Sequence, residues 1–291
     1  MNTSKNEFSL EHFTLRHIKP HIFVISQWQN QCSGSFIYVV YRWTVAMFFV
    51  ITLFLSYMEN WNKPASHQAM FFIYFTNWAY IMSTFQAIVI AILTTCVYRR
   101  LVKNSRLSSV NLTCYQLYWL NNIVSTDVAF LVTILYWTFI YDPKVDVLSL
   151  ANICSHATNS VVTMVDLFVV AHPVRLLHGF YPGVFLIIYG LFSAVYYVCG
   201  GRDKNGYIYI YNFLDWRKPW CTFGICMGLV VIVNILHSIV WLLYQLRKWI
   251  HLKYCTPEED DTHGRNAIED EDAGKFLNHK VNVNLNLFEH K

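Results

Sequence analysis

Two side chains with chemistry to offer, Thr76 and His156, stand inside long apolar runs of this sequence. A threonine hydroxyl attacks well only when a neighbouring base takes its proton, and imidazole is the usual base. The pair therefore suits acyl transfer. A third group would orient the ring: Asn159 lies one turn from His156, and Asp127 is the nearest charged candidate. Neutral Asn152 or Asn77 could donate to an oxyanion developing on a carbonyl. Because the runs belong in hydrocarbon, the implied substrate is a lipid ester reached through the bilayer. The same residues fit a plainer role as contacts that hold helices together, each contributing about 0.6 to 2 kcal/mol.

These residues need elements to position them. A helix crossing about 30 Å of hydrocarbon takes roughly 20 apolar residues. Six runs are long enough: 36–58, 71–97, 117–141, 147–171, 181–200 and 220–246. Each is bounded by charge, Pro or Gly, as at Lys63-Pro64, Arg99-Arg100, Asp142-Pro143, His172-Pro173 and Gly200-Gly201. The apolar residues do not alternate, which excludes a barrel of strands. The expectation is an all-α, polytopic bundle of six transmembrane helices over 35–250. It lies between a cytosolic N-terminal segment, 1–34, and a disordered acidic cytosolic tail, 251–291.

The polar residues of the runs share faces. In the fourth run Asn152, His156, Asn159, Thr163 and Asp166 follow at steps of four, three, four and three, which aligns them on one side of a helix. Thr76, Tyr80, Ser83 and Thr84 do the same in the second run, with Asn77 beside them. Asn121, Asn122, Ser125, Thr126 and Asp127 add polarity to the third run, and Asn234, His237 and Ser238 to the sixth. Lipid satisfies none of these, so they must meet inside. At about 1.5 Å per residue, Thr76 lies about 8 Å and His156 about 14 Å below the outer ends of their runs. The two are expected to face one outward-opening pocket.

Composition sets the class. The chain is 55% hydrophobic and only 14% charged, against about a quarter charged in a soluble domain. The net charge of +4 is unclustered and gives no reason to expect nucleic acid as a partner. Membrane lipids are the expected partner. Lys and Arg are distributed about twelve to six between the two sides, which predicts cytosolic termini. The richer side includes Arg42, Arg99, Arg100, Arg175 and Arg247. On that topology the sequons at Asn2 and Asn111 stay unglycosylated. The first 34 residues lack the pattern of a cleaved leader. Residues 8–29 suit either an interfacial segment or a packed arm. The tail carries two acidic runs, Glu258–Asp261 and Glu269–Asp272.

The eight cysteines show no metal-ligand spacing, so no metal and no cofactor are expected. Cys199 and Cys221 flank the 200–220 loop and form a candidate disulfide alongside the alternative of two thiols. Cys255, past the last basic exit, is either a palmitoylation site or a free thiol. Within the loop, Asn205-Gly206 precedes alternating aromatics, a hairpin pattern that would form a lid or a contact surface.

Several stretches resemble the rolling stone family: Tyr74-Phe75-Thr76-Asn77-Trp78, the segment from Asn152 to Asp166, His172-Pro173-Val174-Arg175, Gln27-Trp28-Gln29 and Tyr41-Arg42-Trp43. The resemblance covers nearly the whole chain except the acidic tail. It implies a plasma-membrane protein of insect muscle development, acting in myoblast fusion with a protein partner at the fusing membrane. Phe75-Thr76 and Ser155-His156-Ala157-Thr158 are similar, more distantly, to the androgen-induced and androgen-dependent TFPI-regulating transmembrane threonine hydrolases. That likeness implies hydrolysis of fatty acid esters of hydroxy fatty acids by Thr76 and His156. The competing reading is a non-enzymatic membrane organiser whose polar stripe only packs the bundle. A transporter comes third, because no inverted repeat is visible.

Overall fold

A backbone in hydrocarbon must satisfy its own hydrogen bonds, so apolar runs of this length fold as helices. The computed structural model describes residues 13–29, 34–58, 61, 63–102, 112–142 and 149–255. Its helices are α1 (Phe36–Met58), α2 (Ala65–Ala69), α3 (Phe75–Val102), α4 (Leu112–Leu135), α5 (Leu150–Ile153), α6 (Asn159–Val169), α7 (Phe180–Val198) and α8 (Pro219–Cys255). Tight 3-10 turns at Pro20–Val24, Met70–Ile73 and Leu176–Gly179 precede longer elements. A wide π turn, Tyr136–Ile140, extends α4, and a second, Cys154–Thr158, joins α5 to α6. Among the described residues there is no strand, only an isolated bridge between Ser26 and Val170.

Among the described residues five helices are long and apolar enough to cross a membrane: Phe36–Met58, Phe75–Val102, Thr113–Ile140, Leu176–Val198 and Pro219–Cys255. The expected fourth span is not among them. It is helical from Leu150 to Val169, but in three pieces and with the polar stripe along it. The second run is also modified. Its α-helix starts at Phe75 rather than 71, because Tyr74 is extended and the preceding turn is 3-10.

Packing follows the polar faces. On α1 the buried positions Tyr38, Arg42, Ala46 and Phe49 recur every three or four residues and press on α3. The α4 helix is the most enclosed of the spans. Its Asn121, Ser125, Thr126 and Asp127 are all buried, as groups that lipid cannot satisfy should be. The main apolar cluster joins Phe75 and Ala79 of α3, Val128 and Leu131 of α4, Leu186 of α7 and Val233 of α8. The α8 helix buries Thr222 near its start and then the stripe Val233, His237, Val240 and Arg247, and shows Val231, Ile235, Leu242 and Leu246 outward.

Residues 13–29, before α1, pack against the bundle as an arm. Phe23 is fully buried, stacked between Tyr115 and His172. The arm also closes the end of α6. Ser26 Oγ and the Gln27 amide donate to the Val169 carbonyl, Trp28 Nε1 to Phe168, and Arg247 to Leu167. Three orphan carbonyls of a helix terminus thereby find partners.

The loop between α7 and α8 is not a hairpin. Asp203 builds it instead: its carboxylate accepts from the Asn205 and Tyr207 amides, and Gly206 takes the positive φ of +84° that this tight turn requires. Ile210 and Leu214 are buried and anchor the loop's second half. Contacts gather the chain into one body up to His251. Asn2, Asn111 and the acidic runs of the tail lie outside the described residues.

Candidate active site

Thr76 and His156 line one open cavity of about 510 Å³, within the usual range for ligand sites. The helical wall of this vestibule includes Asn77, Tyr136, Asn152 and Ser155, and the Asp203 loop closes the other side through Tyr207, Tyr209 and Tyr211. No hydrogen bond joins Thr76 to His156 among the described residues; what they share is the cavity wall.

Thr76 occupies the first turn of α3, where amides have no partner within the helix. A side-chain acceptor at such a terminus can cap these amides. The Tyr211 hydroxyl from the loop between α7 and α8 takes that place. It accepts from the Phe75 amide at 3.1 Å and also contacts the Thr76 backbone and side chain. Burial pushes the Tyr211 phenol up from its ordinary value, so it stays a neutral hydroxyl at physiological pH. Below it lies a narrow apolar cleft of about 30 Å³, lined by Phe75, Val132, Leu135, Leu186, Tyr189 and Leu229. Thr76 and Tyr211 belong to both spaces. The threonine thus stands on the border between a polar vestibule and an apolar seam.

His156 is held differently. It sits in the π turn Cys154–Thr158, is 7% exposed, and stacks flat on Tyr136, with ring centroids 3.6 Å apart and planes 2° apart. Tyr136 itself opens the other π turn, so each wide turn offers one ring to the other. Trp137 Nε1 donates to the His156 carbonyl at 3.2 Å. The His156 Nδ1 is buried with no hydrogen-bond partner. π turns recur at functional sites because the wider turn re-aims a side chain.

That wide turn also divides the expected stripe. Before it, Asn152, Ser155 and His156 face the vestibule. After it, the face has shifted: Ser160, absent from the expected stripe, donates to the Ala129 carbonyl and pairs with Thr133, and Asp166 binds Arg42. Of the supporting residues, Asn77 lines the vestibule while its amide holds the Phe71 carbonyl at 2.6 Å. Asn159 is buried with an unpartnered Oδ1, away from the vestibule lining. Asp127 does not orient His156. Its carboxyl binds His237 Nδ1 at 2.7 Å, and His237 Nε2 reaches the Arg175 carbonyl at 2.9 Å, tying α4 to α8. Cys199 and Cys221 are both exposed free thiols, so the loop carries no disulfide between them. Cys255 is likewise free and exposed.

A second polar centre was hidden in the sequence. Arg42, counted there as a loop charge, is 1% exposed and pairs with Asp166 at 2.7 Å. Tyr41 donates to the same carboxylate oxygen, and Tyr38 accepts from the guanidinium. Arg247 is also fully buried and donates to the carbonyls of Leu167 and His172. The spacing of Tyr38 and Arg42, one helical turn apart within an apolar run, was the available signal.

The sequence profile described as Protein rolling stone matches residues 2–256. The chain belongs to the rolling stone family. Drosophila melanogaster Protein rolling stone is 28% identical over 250 residues, covering 83% of this chain and 89% of that protein. No solved structure matches. Rolling stone membership spans every helix described above and, with the apolar helices, makes the chain an integral membrane protein. It contains both Thr76 and His156 but gives them no chemistry of its own.

Proposed function

We propose that this rolling stone protein is an intramembrane hydrolase of fatty-acyl esters, with Thr76 as nucleophile and His156 as base. The supporting observation is that the two line one vestibule while an apolar cleft begins at the same threonine. An ester would place its acyl chain toward the cleft, which must widen to admit it, and its alcohol in the vestibule. His156 takes the Thr76 proton as Oγ1 bonds to the carbonyl carbon, and the carbonyl electron pair moves onto oxygen. Collapse breaks the bond to the alcohol, which leaves with the proton from His156. Water, deprotonated by the same ring, then frees the fatty acid and restores Thr76. Tyr136 holds the imidazole by stacking, in place of the charged partner that other hydrolases use.

The family suggests the setting: the plasma membrane of muscle precursors, where lipid remodelling would accompany fusion with an opposing cell. The Lys/Arg bias supports cytosolic termini and an outward vestibule, and it survives without the buried Arg42 and Arg247. Full-length protein in lipid vesicles tests the chemistry. Thr76→Ala and His156→Ala should each abolish turnover of a fatty-acyl ester and labelling by an alkyl fluorophosphonate while membrane abundance is kept. Turnover that persists in both variants refutes the assignment.

The organiser reading draws on the other half of the stripe. Ser160 with Thr133, and Asp166 with Arg42, are interhelical contacts that serve packing. Under that reading alone, His156→Ala lowers abundance and no probe labels the protein.

A further inference from the structure

Resting on the hydrolase reading, we propose that the main-chain amides of Phe75 and Thr76 are the oxyanion site and that the Tyr211 hydroxyl occupies it at rest. An oxyanion site is a pair of amides aimed at the oxygen of a carbonyl whose carbon lies beside the nucleophile, and the nucleophile's own amide is a common member. The Tyr211 hydroxyl oxygen meets that description. It accepts from the Phe75 amide at 3.1 Å and contacts both the amide and the side chain of Thr76. An oxygen atom therefore already sits where a bound ester would put its own. The positive end of the 28-residue α3 dipole points at the same spot.

The surroundings support a ligand at this place. The vestibule and the apolar cleft meet at Tyr211 and Thr76, so an ester bridging the two must bring its carbonyl there. His156, 7% exposed on the same vestibule wall, keeps an unpartnered Nδ1. Tyr189, the other hydroxyl near Tyr211, donates to the Ile73 carbonyl at 2.8 Å and also pairs with the Tyr211 hydroxyl. Because Ile210 and Leu214 anchor the loop, the Tyr211 side chain must turn away rather than the whole loop lifting. Its ring stacks on Phe213 and meets Tyr74 edge-on, contacts that a phenylalanine would keep.

The chemistry of the test is one displacement. With an alkyl fluorophosphonate, Thr76 Oγ1 bonds to phosphorus, the phosphorus–fluorine bond breaks, fluoride leaves, and His156 takes the hydroxyl proton. The phosphoryl oxygen needs the same amides as an ester oxyanion. Tyr211→Phe in full-length protein should speed labelling at Thr76, read by mass spectrometry of the peptide, by roughly tenfold, the worth of one hydrogen bond the ligand no longer displaces. Tyr211→Met, a second hydroxyl-free side chain, should do the same and serves if the Phe variant fails to insert. Labelling of wild type at Thr76 with neither variant faster overturns the resting block and leaves the hydrolase reading standing. Slower labelling in both makes the hydroxyl a donor to the oxyanion and overturns it too. No labelling of any form removes the hydrolase reading and this inference together.

Discussion

Removing Asp166 should cost far more than removing it together with Arg42. In Asp166→Ala a guanidinium that is 1% exposed loses its only carboxylate and keeps the Tyr38 hydroxyl, while Tyr41 loses its acceptor. Stripping one partner from a buried pair costs about 3–5 kcal/mol, whereas replacing both with apolar groups is often neutral. At roughly 2–4 °C per kcal/mol for a body of this size, the single variant should melt about 6–20 °C lower. Polar contacts inside membranes average less, so the lower end is the expectation. Arg42→Met with Asp166→Leu should recover most of the loss. The assay is thermal unfolding of purified protein in detergent, followed by size-exclusion chromatography of heated aliquots. The vestibule lies beyond the π turn, so residual folded Asp166→Ala should still label at Thr76. Equal melting of wild type and Asp166→Ala would refute the idea that this buried pair carries the stability of the far end.

Two further outcomes follow from the geometry. Tyr136→Leu should slow labelling at Thr76 while Tyr136→Phe leaves it near wild type, because a flat aromatic partner is what holds the His156 ring; labelling rates of the two variants at equal abundance decide it. Cys199 and Cys221 should both react with a membrane-impermeant maleimide added to intact cells without prior reduction, since both are exposed thiols at the vestibule end. Reaction only after permeabilisation would reverse the topology.

The class of fold was legible because it depends on run length and charge content, which need no register. Thr76 and His156 were legible as polar outliers, and both line the vestibule. What escaped depends on local departures from an ideal helix. The stripe was laid out on a uniform α pitch, and the π turn at Cys154–Thr158 moves Ser160 inward and separates His156 from the Asp166 half. Asp127 was offered to His156 on depth alone. The ring that binds it, His237, had been noticed only as part of a separate polar face. Arg42 and Arg247 were read as loop charges because arginine is rare inside a span, yet one has a carboxylate and the other two carbonyls to hold it. Tyr211 belongs to the aromatic loop that the sequence offers as a lid, but its contact with the Phe75 amide, 136 residues earlier in the chain, left no local signal.

The extra residue accommodated at Cys154–Thr158 makes this membrane segment two modules under separate constraint. Side chains upstream of it face the chamber, and those downstream pack against Arg42, Thr133 and the arm. Losing a single residue there would tighten the coil and swing the upstream module by roughly 100°, turning His156 away without altering one amino acid of the chamber wall. A one-residue insertion or deletion at this turn would therefore re-aim His156 while leaving every recognisable motif intact.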